Sequence, residues 1–110
     1  MASIHSLNET KSVTYFSIII VGMKYHNIET KDVLELKSFF LKPEPKNKYD
    51  SKAVQVFGYI KGGNELKLVG YISKNELHKL PNIDEKGEFF EARVVYRETA
   101  NAIYSLLYTN

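Results

Sequence analysis

Residues 13–25 run from Val13 through Thr14, Tyr15 and Phe16 to Ile18, Ile19, Ile20 and Val21, and end in Lys24 and Tyr25. β-branched and aromatic side chains suit a pleated surface. A near-continuous apolar run of this kind predicts a strand covered on both faces, as in a barrel wall. The next apolar group, Lys31 to Leu41, places Val33, Leu34, Leu36, Phe39 and Phe40 at spacings that fit either a bent strand or a short helix, and it is assigned here to a strand. Pro43 and Pro45 end that segment, because proline fixes its own φ and supplies no ladder donor. A loop rich in Pro, Asn, Asp and Lys follows over residues 43–52.

Ala53 to Phe57 alternates cleanly and extends to Ile60. Lys61, Gly62, Gly63 and Asn64 then offer the positive φ that tight hairpin turns demand, so Leu66 to Ile72 reads as the returning strand. Ser73, with Glu76 three residues on, predicts an N-cap and capping box for a short helix over about residues 74–80. Gly87 introduces a strand from Phe89 to Tyr96, and the polar turn 97–101 leads to a last strand, Ala102 to Tyr108. Residues 1–12 lack periodicity and read as a loose arm ahead of one domain over 13–110. About six strands and one short helix predict an all-β fold, a small closed or nearly closed antiparallel barrel.

Composition narrows the functional classes. At 110 residues, 44% apolar and 25% charged, the chain can bury one core, which excludes disorder for most of its length. Cysteine is absent, so disulfides and thiolate metal sites are excluded. A formal charge of +2 is too small for broad electrostatic binding along a duplex, but it leaves room for a local grip on a few phosphates. The apolar stretch Phe16 to Gly22 is far shorter than the roughly 18–20 residues of a membrane span. Polar residues precede it and Lys24-Tyr25 follows, unlike a secretory signal, so a cytoplasmic protein is expected. His5, His26 and His78 are widely spaced with no HExxH pairing, and Gly62-Gly63 lacks the Lys-Ser/Thr ending of a P-loop. No GxSxG elbow occurs, and Asp84-Glu85 reads as a solvated loop pair. No catalytic residue, metal or cofactor is expected.

Three segments carry more information. They are Val21-Gly22-Met23-Lys24-Tyr25-His26, then Asn47-Lys48-Tyr49-Asp50 leading into Ala53-Val54-Gln55-Val56, and Gly70-Tyr71-Ile72 running into Ser73-Lys74. In order and interval they resemble the HIRAN domain family over roughly residues 15–97. That family's pattern is a strand ending in Val-Gly before a basic residue and aromatics, an Asn-Pro-Tyr-Asp loop entering Ala-Ile/Val-x-Val, and a Gly-Tyr/His-Ile/Leu strand running into a helix.

The resemblance implies an OB-like barrel that binds the free 3′ end of single-stranded DNA, in DNA repair or at replication forks. The chain looks like a stand-alone member, with any helicase or nuclease supplied by another chain. Tyr25 and Tyr49 match aromatics that stack on the terminal bases, where stacking contributes about 1–3 kcal/mol per base. Asp50 matches the acid that meets the 3′ hydroxyl; an ionised carboxylate only accepts hydrogen bonds, so it suits that donor and repels a 3′ phosphate. Lys24 matches the basic phosphate contact, Lys74 at the first turn of the short helix is a second candidate, and backbone amides near His26 add to that grip. Asn47 shapes the loop or bonds the terminal nucleotide, and Tyr71 stands against the backbone.

Three departures stand out: Lys48 replaces the loop proline, Lys52 replaces an Asn, and an aromatic of the last hairpin would fall near Ile103 or Tyr104. Taken singly, the same residues admit plainer roles. Asp50 then makes an Asx turn, Tyr25 and Tyr49 pack at the barrel rim, His26 is an exposed strand residue and the lysines are solvated. A second class of function, a peptide-binding module using the cleft or a barrel edge, competes with the first.

Overall fold

A computed structural model of the chain describes residues 13–33, 36–60, 63–95 and 103–109. Six strands form: β1 Val13–Val21, β2 Ser38–Pro43, β3 Val54–Gly58, β4 Lys67–Ile72, β5 Glu88–Val95 and β6 Ile103–Thr109. They close into an antiparallel barrel in the order β1-β4-β3-β2-β5-β6. The expected all-β, OB-like barrel is therefore what the chain adopts. The N-terminal arm, the Lys61-Gly62 half of the hairpin turn and the turn 97–101 lie outside the described residues.

Alternation on the strands builds the interior. Phe39 and Leu41 of β2, Val54 and Val56 of β3, and Phe90 of β5 point inward and meet Ile18 and Ile20 of β1. On the outer face Phe40 opposes both Phe57 and Phe89 across the ladders, and the Phe40–Phe89 ring centroids lie 4.8 Å apart. Cross-strand aromatic pairs of this kind hold β2, β3 and β5 in register.

Around the ring the ladders are unequal. β1 and β6 pair over seven positions, Val13 opposite Thr109 through Ile19 opposite Ile103, whereas β1 meets β4 only at Ile20↔Ile72 and Val21↔Tyr71. A 3₁₀ segment, Lys74–Lys79, fills the rest of that seam. The Ser73 N–H donates to the Ile19 carbonyl (2.8 Å), and Lys79 Nζ donates to the Ser17 carbonyl (3.0 Å). The exposed edge of β1 is thereby covered by a helix and a cation, a common protection of strand edges.

Four local expectations change. β1 ends at Val21, not at Tyr25, because Gly22 adopts φ 84° and turns the chain out of the sheet. Lys31 to Leu41 is not one strand: Thr30–Val33 forms a single helical turn, α1, and β2 begins only at Ser38. The cause is local, since the Asp32 carboxylate reaches back to the Glu29 N–H (2.9 Å), which is the returning half of a capping box. The third strand stops at Gly58, short of Ile60.

The Ser73–Glu76 capping box does not form. In the tight 3₁₀ winding the Glu76 N–H is already taken by the Ser73 carbonyl (2.8 Å), and the Glu76 carboxylate pairs with Lys79 (2.9 Å).

Candidate functional site

Gly22 sets the first wall. Its φ of 84° and ψ of 8° lie in the left-handed region, where a side chain is disfavoured, and the chain leaves the sheet there into a 3₁₀ turn, Met23–His26. Met23, 7% exposed, anchors this turn in the core. The Ile28 N–H bonds back to the Met23 carbonyl (3.1 Å). The anchor turns Lys24 and Tyr25 outward, and Tyr25 is 89% exposed. Tyr25 therefore does not pack at the barrel rim. His26 is neither exposed nor on a strand; it is half-buried, with its ring 6.5 Å from that of Tyr71.

The loop after β2 is stiffened by hydrogen bonds where the family's proline is Lys48. Its mouth is closed by the Glu44 N–H donating to the Ala53 carbonyl (2.9 Å). Asn47 Oδ1 accepts from the N–H groups of Tyr49 (2.8 Å) and Asp50 (2.9 Å), while Asn47 Nδ2 donates to Glu44 Oε1 (2.7 Å). Asn47 thus takes the loop-shaping role. Asp50 does form the Asx turn, its Oδ1 accepting from the Lys52 N–H (2.9 Å), and among the described residues Oδ2 accepts no hydrogen bond. Tyr49 stands 93% exposed at the loop tip.

Glu44 is the residue that sequence reasoning missed. The oxygen that receives Asn47 also accepts the Tyr71 hydroxyl (3.1 Å), joining the loop to β4 across 27 positions of chain. The available signal was an acid held between Pro43 and Pro45 at the start of a lysine-rich loop. Burial, then the hydrogen bond and charge of Glu44, hold the Tyr71 phenol above its ordinary value, with Gln55 opposing. A raised phenol favours the neutral form in the fold. The stability it contributes is present below the unfolded value of about 10 and is lost as pH rises through the folded one. At neutral pH Tyr71→Phe is expected to cost about 1 kcal/mol, the worth of an ordinary hydrogen bond. In urea titrations at increasing pH, the gap between wild type and Tyr71→Phe should narrow above about pH 10.

Together these pieces enclose a pocket of about 410 Å³ lined by Asn47, Tyr49, Asp50, Tyr71 and Lys74, with Val21, Ala53 and Ile72 as its apolar part. Five of the eight residues singled out from sequence thus converge from two of the three segments. Lys24, Tyr25 and His26 stand outside this lining, and the turn that carries them meets the pocket through His26 and Tyr71. The backbone of Ile103 and Tyr104 lies in β6, and their side chains are outside the described set. Among the described residues Lys24, Lys52 and Lys74 form no ion pair, so their charges are open to an anion. A second cleft of about 680 Å³ adjoins, sharing Asp50 and Lys74 with the first. Among the described residues no three His, Asp or Glu side chains group as a metal site, and no helix is long and apolar enough to cross a membrane.

An OB-like barrel with a pocket lined by a solvent-facing ring, a carboxylate and an ammonium group that forms no ion pair among the described residues has the form of a small binding domain. The family model of the HIRAN domain matches residues 13–109. The chain belongs to the HIRAN domain family, which is known as a family of modules that bind single-stranded DNA 3′ ends. No curated protein and no solved structure matches it.

Proposed function

We propose that this domain captures the free 3′-hydroxyl end of single-stranded DNA in the pocket between the 47–50 loop, Tyr71 and Lys74. The observation that carries this is the convergence of Asn47, Tyr49, Asp50, Tyr71 and Lys74 on one cavity from distant parts of the chain. The terminal base stacks on Tyr49, and Tyr25 flanks it. Both rings are almost fully exposed, so covering them removes apolar surface from water. The 3′ hydroxyl donates to Asp50 Oδ2, and Lys74, with Lys24 and the amides of the 23–26 turn, receives the phosphates. No group here activates a nucleophile, and binding alone is the task. Work on DNA in repair or at a replication fork then falls to a helicase or nuclease outside these 110 residues, which hold no P-loop for a motor.

The competing peptide reading uses the same cleft or a barrel edge, and its edge form needs an unpaired strand edge. β1 opposite β4 would be that edge, and the Lys74–Lys79 segment occupies it.

Fluorescence anisotropy of one labelled oligonucleotide, ending in a 3′ hydroxyl or a 3′ phosphate, tests the proposal. The hydroxyl form should bind more tightly, and Tyr49→Ala and Tyr25→Ala should each weaken it by roughly five- to a hundredfold, the range of one lost stack. Equal affinity for both ends, or none for either, would overturn it in favour of a protein partner.

A further inference from the structure

The cleft of about 680 Å³ beside the end pocket is unused by the function proposed above. It lies between residues 50–54 and the 74–83 segment, and Asp50 and Lys74 are the only side chains that line both cavities. Val54, Leu77, Pro81 and Ile83 give it apolar surface, all buried or half-buried. Lys52 and Lys74 bring two cations that make no ion pair among the described residues, against one acid, Asp50. Carboxamides of Asn75 and Asn82 add hydrogen-bonding groups at the rim.

An apolar trough with a basic rim is complementary to a strand whose flat bases are apolar and whose backbone is anionic. OB-type folds engage roughly 4–16 nucleotides, more than a single end pocket can hold. We propose that this cleft receives the nucleotides immediately 5′ of the terminal one, the strand crossing between the cavities over Asp50 and Lys74. The proposal rests on the end-pocket reading and adds to it that the domain senses a single-stranded tail of several nucleotides, not an end alone. Lys74 then holds the phosphate at the crossing.

The test is a length series of 3′-hydroxyl oligothymidylates, dinucleotide to octanucleotide, followed by anisotropy and by amide chemical shifts of the full chain. Affinity should rise with length by at least about tenfold. The slope of log affinity against log salt should steepen by about 0.7 for each added phosphate contact. The dinucleotide should perturb amides at 23–26, 47–50, 71 and 74, and longer strands should add 52–54 and 75–83.

His78 and Asn82 are exposed and line only the larger cleft, so H78E/N82E should fold normally. In that variant the length gain should vanish while dinucleotide affinity and hydroxyl preference persist. A hydroxyl-selective dinucleotide whose affinity does not grow with length overturns this inference and leaves the end pocket intact. So does a length gain that survives H78E/N82E, or one whose added shifts fall on 23–26 in place of 75–83. Indifference of the dinucleotide to its 3′ group, or no binding at any length, overturns the end-pocket reading and this one with it.

Discussion

Asp50→Asn is expected to abolish discrimination between a 3′ hydroxyl and a 3′ phosphate while leaving the loop folded. The substitution keeps Oδ1 for the Lys52 N–H, so the Asx turn persists; it removes the charge and turns the second oxygen into an N–H donor, from which the 3′ hydroxyl can only accept. A hydrogen bond to a charged acceptor contributes about 1.5–3 kcal/mol, against about 1 for a neutral one. Hydroxyl-ended DNA should therefore lose roughly three- to thirtyfold in affinity. Phosphate-ended DNA should gain, because a like charge about 4 Å away costs about 1 kcal/mol in water and about 4 at the effective dielectric near a protein surface. Paired anisotropy titrations give the ratio directly, and an unchanged ratio in Asp50→Asn would remove the acid from end selection.

Gly70→Ala is expected to be the most damaging single change to the fold. A Cβ at this position would run into the Val21 carbonyl oxygen and crowd Ile20 Cγ2, on backbone that has nowhere to go. Ile20 and Val21 are the two β1 residues that pair with β4, so relieving the clash opens the barrel where it is joined most narrowly. A cost of about 3 kcal/mol or more follows from overpacking of this kind. For a domain of this size that lowers Tm by roughly 12–24 °C. Gly22→Ala makes a useful contrast: nothing lies within 4 Å of its Cβ, and only the left-handed backbone resists, at about 1–2 kcal/mol. Thermal unfolding followed by circular dichroism ranks the two. A Gly70→Ala domain as stable as wild type would mean that the β1–β4 contact is not required.

The barrel was legible because alternation and punctuation agreed. Ala53 to Phe57 shows its period of two, and Pro43 and Gly87 bound the strands nearby. Lys31 to Leu41 misled because α1 is one turn long, too short to establish a helical period. It is held by a side-chain-to-backbone bond from Asp32 that hydrophobic spacing does not register. Motif order brought Asn47, Tyr49, Asp50, Tyr71 and Lys74 to notice as a set. It left open whether the rings were packed or bare, since loop positions have no inner or outer face to read. The role of Glu44 was not legible, because its two donors come from positions three and 27 residues away, and the second meets it only once β2, β3 and β4 are paired.

On the proposed binding mode, the narrow β1–β4 junction would make occupancy and closure a linked equilibrium. An anion seated on Lys74 while its terminal sugar engages Asp50 would tie the 3₁₀ plug to the β2–β3 loop, a bond around the barrel that the free chain lacks. Grip on a strand end and rigidity of the wall then rise together. A polymerase or nuclease competing for the same terminus would have to loosen the container along with its contents.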